Sequence, residues 1–110
     1  MRVISGTYKG RRLKAPAGRA TRPTADRVKE SVFNILGADV RHRRVLDLFA
    51  GSGALGIEAI SRQATSTVFI DHDIASLRAI QRNIDDLGIH NQACVIRWNI
   101  LKNLNCLTTL

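Results

Sequence analysis

The chain has 110 residues, of which 45% are hydrophobic, and a formal net charge of +8. That length allows one domain at most, short for an α/β fold, with enough apolar content for a core. No apolar run approaches the ~18 residues of a membrane-spanning helix, and residues 1–6 do not read as a signal peptide, so a cytoplasmic protein without a membrane partner is expected.

The charge is placed unevenly. Residues 1–44 hold twelve Lys and Arg against three acids, whereas residues 45–110 hold five against six. A basic front on a neutral body suits a polyanionic partner, nucleic acid being the commonest; a merely solubilising surface is the alternative.

Residues 2–6 and 11–14 are short β-prone pieces about a turn region at 6–10, and predict a small basic hairpin. Lys9, Arg11, Arg12 and Lys14 are its candidate nucleic-acid contacts. Tyr8 among them can stack on a base or pack the hairpin. Residues 15–24 hold both prolines, Pro16 and Pro23, without apolar periodicity, and read as a loop. Residues 1–24 therefore read as a basic extension and residues 25–110 as the main body. Thr24 can cap a helix starting at Ala25, with Asp26 in its first turn and Gly37 just past its end. Val28, Val32, Ile35 and Leu36 form one apolar stripe on it.

From Val45 the pattern is strand, glycine turn, and helix to about Arg62. A strand at 67–71 and a helix at about 74–87 follow, the helix carrying Ile74, Leu77, Ile80, Ile84 and Leu87 on one face and ending at Gly88. A third strand spans 93–98, and residues 100–110 read as the start of another helix. Strands alternating with amphipathic helices predict an α/β fold with a parallel sheet and right-handed crossovers. Cys94 lies in an apolar run and is expected in the core; it and Cys106 lack metal-ligand spacing and are expected reduced. His42, His72 and His90 are scattered in polar contexts, and no metal is expected. Trp98 reads as packing at a strand end, and Glu58 as a solvated helix residue with no role.

The run Val45-Leu46-Asp47-Leu48-Phe49-Ala50-Gly51-Ser52-Gly53-Ala54-Leu55-Gly56 carries the most information. Gly51-x-Gly53-x-x-Gly56 matches the dinucleotide fingerprint, with Asp71 at the end of the next strand as an acceptor for ribose hydroxyls. Glycine spacing alone is weak evidence. In a nicotinamide or flavin enzyme the loop amides hold a pyrophosphate, which the carboxylate of Asp47 repels. S-adenosylmethionine has no phosphate and carries a sulfonium and an ammonium. Charge at such range is worth ~1–4 kcal/mol near a protein surface, enough to favour that cofactor. The candidate cofactor residues are Asp47, Phe49, Ala50, Gly51, Gly53, Asp71 and Asn99. Phe49 packs beneath the cofactor or against a helix. Asn99 either meets the adenine amino group or forms a turn. Asp73 is better placed than Asp71 to cap the following helix.

The segment Thr21-Arg22-Pro23-Thr24-Ala25-Asp26-Arg27-Val28-Lys29-Glu30-Ser31-Val32-Phe33-Asn34-Ile35-Leu36, followed by the 46–58 loop, resembles the bacterial 16S ribosomal RNA methyltransferases that modify the exocyclic N2 amine of a guanine. Arg2-Val3-Ile4-Ser5-Gly6, Lys9-Gly10-Arg11-Arg12-Leu13 and Ala15-Pro16 are similar to that family's N-terminal hairpin. The similarity covers residues 2–98. It implies a Rossmann-like class I methyltransferase fold, S-adenosylmethionine as cofactor, and 16S rRNA or the small ribosomal subunit as partner. It also sets Arg22 or Thr24 near the methionine carboxylate; alternatively Arg22 contacts RNA phosphate and Thr24 only caps its helix.

That family carries an Asp/Asn-Pro-Pro-Tyr/Phe motif at the end of a fourth strand, and residues 1–110 contain no such tetrapeptide. No catalytic residue is therefore assigned. The expectation is the N-terminal portion of such an enzyme, inert by itself and a monomer when complete. The alternatives are a non-catalytic nucleic-acid-binding remnant and, disfavoured by Asp47, a nucleotide-dependent oxidoreductase fragment.

Overall fold

The computed structural model describes residues 1–17, 23–48 and 50–109, the side chains of 23–25 and 109 excepted. Helix α1 (Pro23–Leu36) precedes β1 (Arg44–Leu48), α2 (Ala54–Ser61), β2 (Ser66–Asp71), α3 (Ile74–Leu87) and β3 (Ala93–Arg97). The strands make one parallel sheet in the order β1-β2-β3, with Asp47 beside Phe69 and Phe69 beside Val95. Both crossovers step the same way across the sheet, so right-handed connections put α2 and α3 on one face. Phe69, on that face, is buried with Ile57 and Ile60 of α2 and Ile80 and Ile84 of α3.

Local chemistry sets the helix ends. The Asp73 carboxylate accepts from Ser76 N at 3.0 Å and caps α3, and Gly88 closes it at φ 66°. Helix α1 opens at Pro23 rather than Ala25, because proline's fixed φ suits the first helical position, where no N–H is needed.

Residues 1–14 double back on themselves through an antiparallel bridge between Arg2 and Arg12. Val3 N donates to Arg11 O at 2.9 Å and Leu13 N to Met1 O at 2.8 Å. Val3 and Leu13 are buried in the same cluster as Phe69 and Ile80. The basic arm is thus fastened into the core of the sheet domain.

Three expectations are corrected. On α1, the stripe of Val28, Val32, Ile35 and Leu36 is exposed (Val28 57%, Ile35 85%), whereas Lys29 and Phe33 are buried at 2% and 4%. Phe33 packs with Val40, Ala59 and Ala64, and Lys29 finds a buried acid, so the face with an aromatic and a paired cation turns inward. Cys94 is exposed rather than in the core. It shares a sheet face with Val68 and Leu46, opposite the one that α2 and α3 cover. Finally, Asn105–Thr109 forms a 3₁₀ turn, not an α-helix. The Asn103 side chain accepts from Asn105 N at 3.0 Å, the kind of local bond that competes with helix.

Candidate functional site

Asp47 and Asp71 close neighbouring strands, and their carboxylates organise the loop between β1 and α2. Asp47 is 7% exposed, and its Oδ2 accepts from Gly56 N at 3.1 Å. Helix α2 has no capping side chain at Gly53, so Asp47 satisfies one of its free N–H groups from the strand. Burial pushes the Asp47 carboxyl from its ordinary 3.8 up to about 6; the Gly56 N–H opposes the rise, and the Asp71 charge adds to it. Asp71 accepts from Gly51 N through Oδ2 and from Asp73 N through Oδ1, each at 2.9 Å. Two carboxylates thus repel one another across the ends of β1 and β2, where an open α/β sheet binds its ligands.

The glycines have a different physical origin. Gly51 and Gly53 sit at φ 60° and 81°, the left-handed region that favours glycine. A Cβ on Gly53 would lie 3.2 Å from the Phe69 ring, and one on Gly56 would lie 2.4 Å from that ring and 2.7 Å from Thr67. Gly53 and Gly56 are therefore demanded by the packing of the loop and α2 on β2. The fingerprint spacing reports that packing. A pair of acids suits a cation and opposes a pyrophosphate.

The other sequence-predicted cofactor residues divide. Ala50 is buried in the core cluster and donates its N–H to Ile70 O at 3.0 Å. Asn99 Oδ1 accepts from Leu101 N at 3.0 Å, which is the turn-forming arrangement. It lines a cleft of about 460 Å³ with His72, Arg97, Trp98, Lys102 and Asn103, at the carboxyl ends of β2 and β3. Phe49, Arg22 and the side chain of Thr24 lie outside the described residues. Of the predicted nucleic-acid contacts, Lys9, Arg11, Arg12 and Lys14 are all exposed on the arm. Arg11 Nη2 donates to Asp86 O at 3.0 Å and Lys14 Nζ pairs with Asp86 Oδ2 at 3.1 Å, which holds the arm against the end of α3.

Glu58 corrects the sequence reading most sharply: it is fully buried, not solvated. Its Oε1 accepts from Ile4 N at 2.9 Å and faces Lys29 Nζ at 3.2 Å. Its Oε2 accepts from Ser5 N at 3.1 Å and from Arg62 Nε at 2.9 Å. Lys29 Nζ also donates to Arg2 O at 2.6 Å. Four donors offset the cost of burying the charge, and in doing so join arm, α1 and α2. Ser61 adds to the join, donating through Oγ to Ser5 O at 2.6 Å and accepting from Tyr8 N at 3.0 Å. Sequence reasoning missed these residues, although a carboxylate inside the apolar run Ile57-Glu58-Ala59-Ile60 was an available signal. Among the described residues, no group of three His, Cys, Asp or Glu is placed to hold a metal ion, and no helix is long and apolar enough to cross a membrane.

Comparison with known proteins adds to this geometry. The family model described as "Conserved hypothetical protein 95" matches residues 1–109. The chain is 52% identical over 97 residues to the Bacillus subtilis (strain 168) protein named "Putative rRNA methyltransferase YlbH", covering 88% of this chain and 53% of that one. It is 41% identical over 104 residues to "Ribosomal RNA small subunit methyltransferase D" of Escherichia coli (strain K12), covering 94% and 52%. Among solved structures it is similar to "Putative methyltransferase yhhF from Escherichia coli", with a TM-score of 0.81, 39% identity, and coverage of 93% of this chain and 55% of that one. The chain spans about half the length of the curated relatives it matches.

Proposed function

This chain belongs to the Conserved hypothetical protein 95 family, and on that premise we propose that it holds S-adenosylmethionine for methylation of the N2 amine of a guanine in 16S rRNA. The fold is that of the class I methyltransferases, of which it carries three parallel strands and their crossover helices. The paired carboxylates of Asp47 and Asp71 carry the reading, since they provide a site for a cation where the fold binds its cofactor.

When bound, the cofactor supplies a methyl group activated by its sulfonium. Asp71, its position fixed by Gly51 N and Asp73 N, has acceptor capacity left for the ribose hydroxyls. Asp47 balances the positive charge, directly or through water. Gly51, Gly53 and Ala50 shape the loop, and Phe49 is assigned to the cofactor site from the sequence alone. Asn99 borders the adenine side, and Thr24 or Arg22 meets the methionine carboxylate. Lys9, Arg11, Arg12 and Lys14 take the phosphates of 16S rRNA, free or in the small subunit, in the cytoplasm. The chemistry asked of the protein is orientation and electrostatic stabilisation as the amine attacks the methyl carbon.

Calorimetry with S-adenosylhomocysteine and with NAD tests the reading. The homocysteine product is expected to bind, NAD is not, and Asp71→Ala is expected to weaken binding at least tenfold, about 1.4 kcal/mol. Binding of NAD with no response to S-adenosylhomocysteine removes the proposal. RNA binding that persists in a chain with no affinity for S-adenosylhomocysteine supports a non-catalytic RNA-binding role instead.

A further inference from the structure

Asn83 lies within α3 at 1% exposure, on the stripe that also carries Ile80, Ile84 and Leu87. An amide buried there destabilises the fold unless its polar groups are bonded. Its partners are backbone groups from two segments far apart in sequence. Oδ1 accepts from Lys14 N at 2.7 Å, and Nδ2 donates to Lys14 O and to Ser52 O, each at 2.9 Å. Lys14 belongs to the basic arm. Ser52 stands between Gly51, which Asp71 holds, and Gly53, which packs on Phe69. One buried amide therefore ties the arm to the loop that bears the cofactor site.

We propose that Asn83 is a positioning residue that couples the two sites, so that RNA on the arm and cofactor at the loop strengthen each other's binding. The inference rests on the reading of the site given above. Its physical basis is shared ordering. A ligand that fixes Gly51 and Ser52 fixes Asn83 and with it Lys14, so the second ligand loses less conformational freedom on binding. On the arm, the exposed contacts of Lys14 and Arg11 with Asp86 are exchangeable for phosphate, while the backbone of Lys14 stays bonded to Asn83. Linkage makes the effect reciprocal: the factor by which RNA tightens cofactor binding equals the factor by which cofactor tightens RNA binding.

The test uses the full chain, S-adenosylhomocysteine and a short RNA hairpin, each titrated calorimetrically with and without the other. The wild-type chain is expected to show mutual tightening of at least about fivefold. Asn83→Asp keeps the shape and the acceptor for Lys14 N but loses both donated bonds. Its coupling factor is expected to fall to near one while each ligand alone still binds. Asn83→Ser serves as the second variant should the aspartate prevent folding. Hydrogen exchange on the ligand-free proteins gives an independent readout: the Gly53 amide exchanges faster in the aspartate variant, while Lys14, whose acceptor is kept, and Ile84 and Leu87 do not. A wild-type factor near one, or one that survives in a folded variant, overturns the inference while leaving the site reading intact. A wild-type chain that binds neither probe overturns the site reading and the inference together.

Discussion

The two faces of the sheet are built on opposite terms. On one, Asp47, Thr67 and Phe69 lie under α2 and α3, and buried polar groups (Glu58, Ser61, Asn83) are bonded to backbone from the arm and the loop. On the other, Leu46, Leu48 and Cys94 are exposed among the described residues. Parallel strands normally read as apolar on both faces because helices cover both. The difference teaches that apolar alternation marks a face fit for burial and says nothing of what supplies the cover. The candidate site lies on the covered side, where the arm, α2 and α3 converge on the loop after β1, held at Gly51 by Asp71.

The largest expected break in that contrast is Glu58→Ala. It strands Lys29 as a buried cation without its acid and leaves the amides of Ile4 and Ser5 without acceptors. A loss of about 3–5 kcal/mol is expected in urea denaturation, with the arm released first by hydrogen exchange. Phe33→Ala, on the inward face of α1, is expected to cost about 3 kcal/mol by the same measurement. Loss of less than about 1 kcal/mol for either variant would show that the covered face does not hold the fold.

Asp47→Asn acts in the opposite direction. Well below its unfolded value of 3.8 the Asp47 carboxyl is protonated in both the folded and unfolded chain and contributes nothing. Between its unfolded value of 3.8 and its folded value of about 6, the unfolded chain gives up the proton first, so stability falls as pH rises. Above that window the penalty levels off at about 3 kcal/mol. Asp47→Asn is therefore expected to be more stable than wild type at pH 7.5 and equal to it well below pH 3.8, by thermal melts in matched buffers. The smallest effects belong to the open surfaces. Leu48→Lys and Ile35→Lys are expected to change stability by no more than about 0.5 kcal/mol while raising solubility.

The elements of the fold were legible because β1, β2, β3 and α3 have strong local signals: β-branched runs, a capping Asp73 and a closing Gly88. Helix α1 was legible as a helix, but its inward face was not. Val28, Val32, Ile35 and Leu36 outnumber Phe33 in apolar character, yet Lys29 has a partner at Glu58 that only the tertiary structure provides. Cys94 misled for a related reason, since an apolar run does not reveal which of its faces is covered. In the candidate site, Asp47 and Asp71 could be found from their places at strand ends. Asn83 and Ser61 could not, because their partners include backbone groups more than fifty residues away, at Lys14 for the one and Ser5 for the other, and backbone leaves no mark on side-chain pattern; Glu58 stood out only as a carboxylate in an apolar run.

The central claim, that the paired acids Asp47 and Asp71 select a cationic cofactor, is tested most directly by titrating S-adenosylmethionine into wild type and Asp47→Asn across the range from about pH 5 to about pH 8. A cation binds best to the ionised carboxylate, so wild-type affinity is expected to rise as pH passes through about 6 and then level off. The variant is expected to bind more weakly above that point and to lose the dependence. Equal affinity in the two proteins, with the same pH profile, would contradict the account.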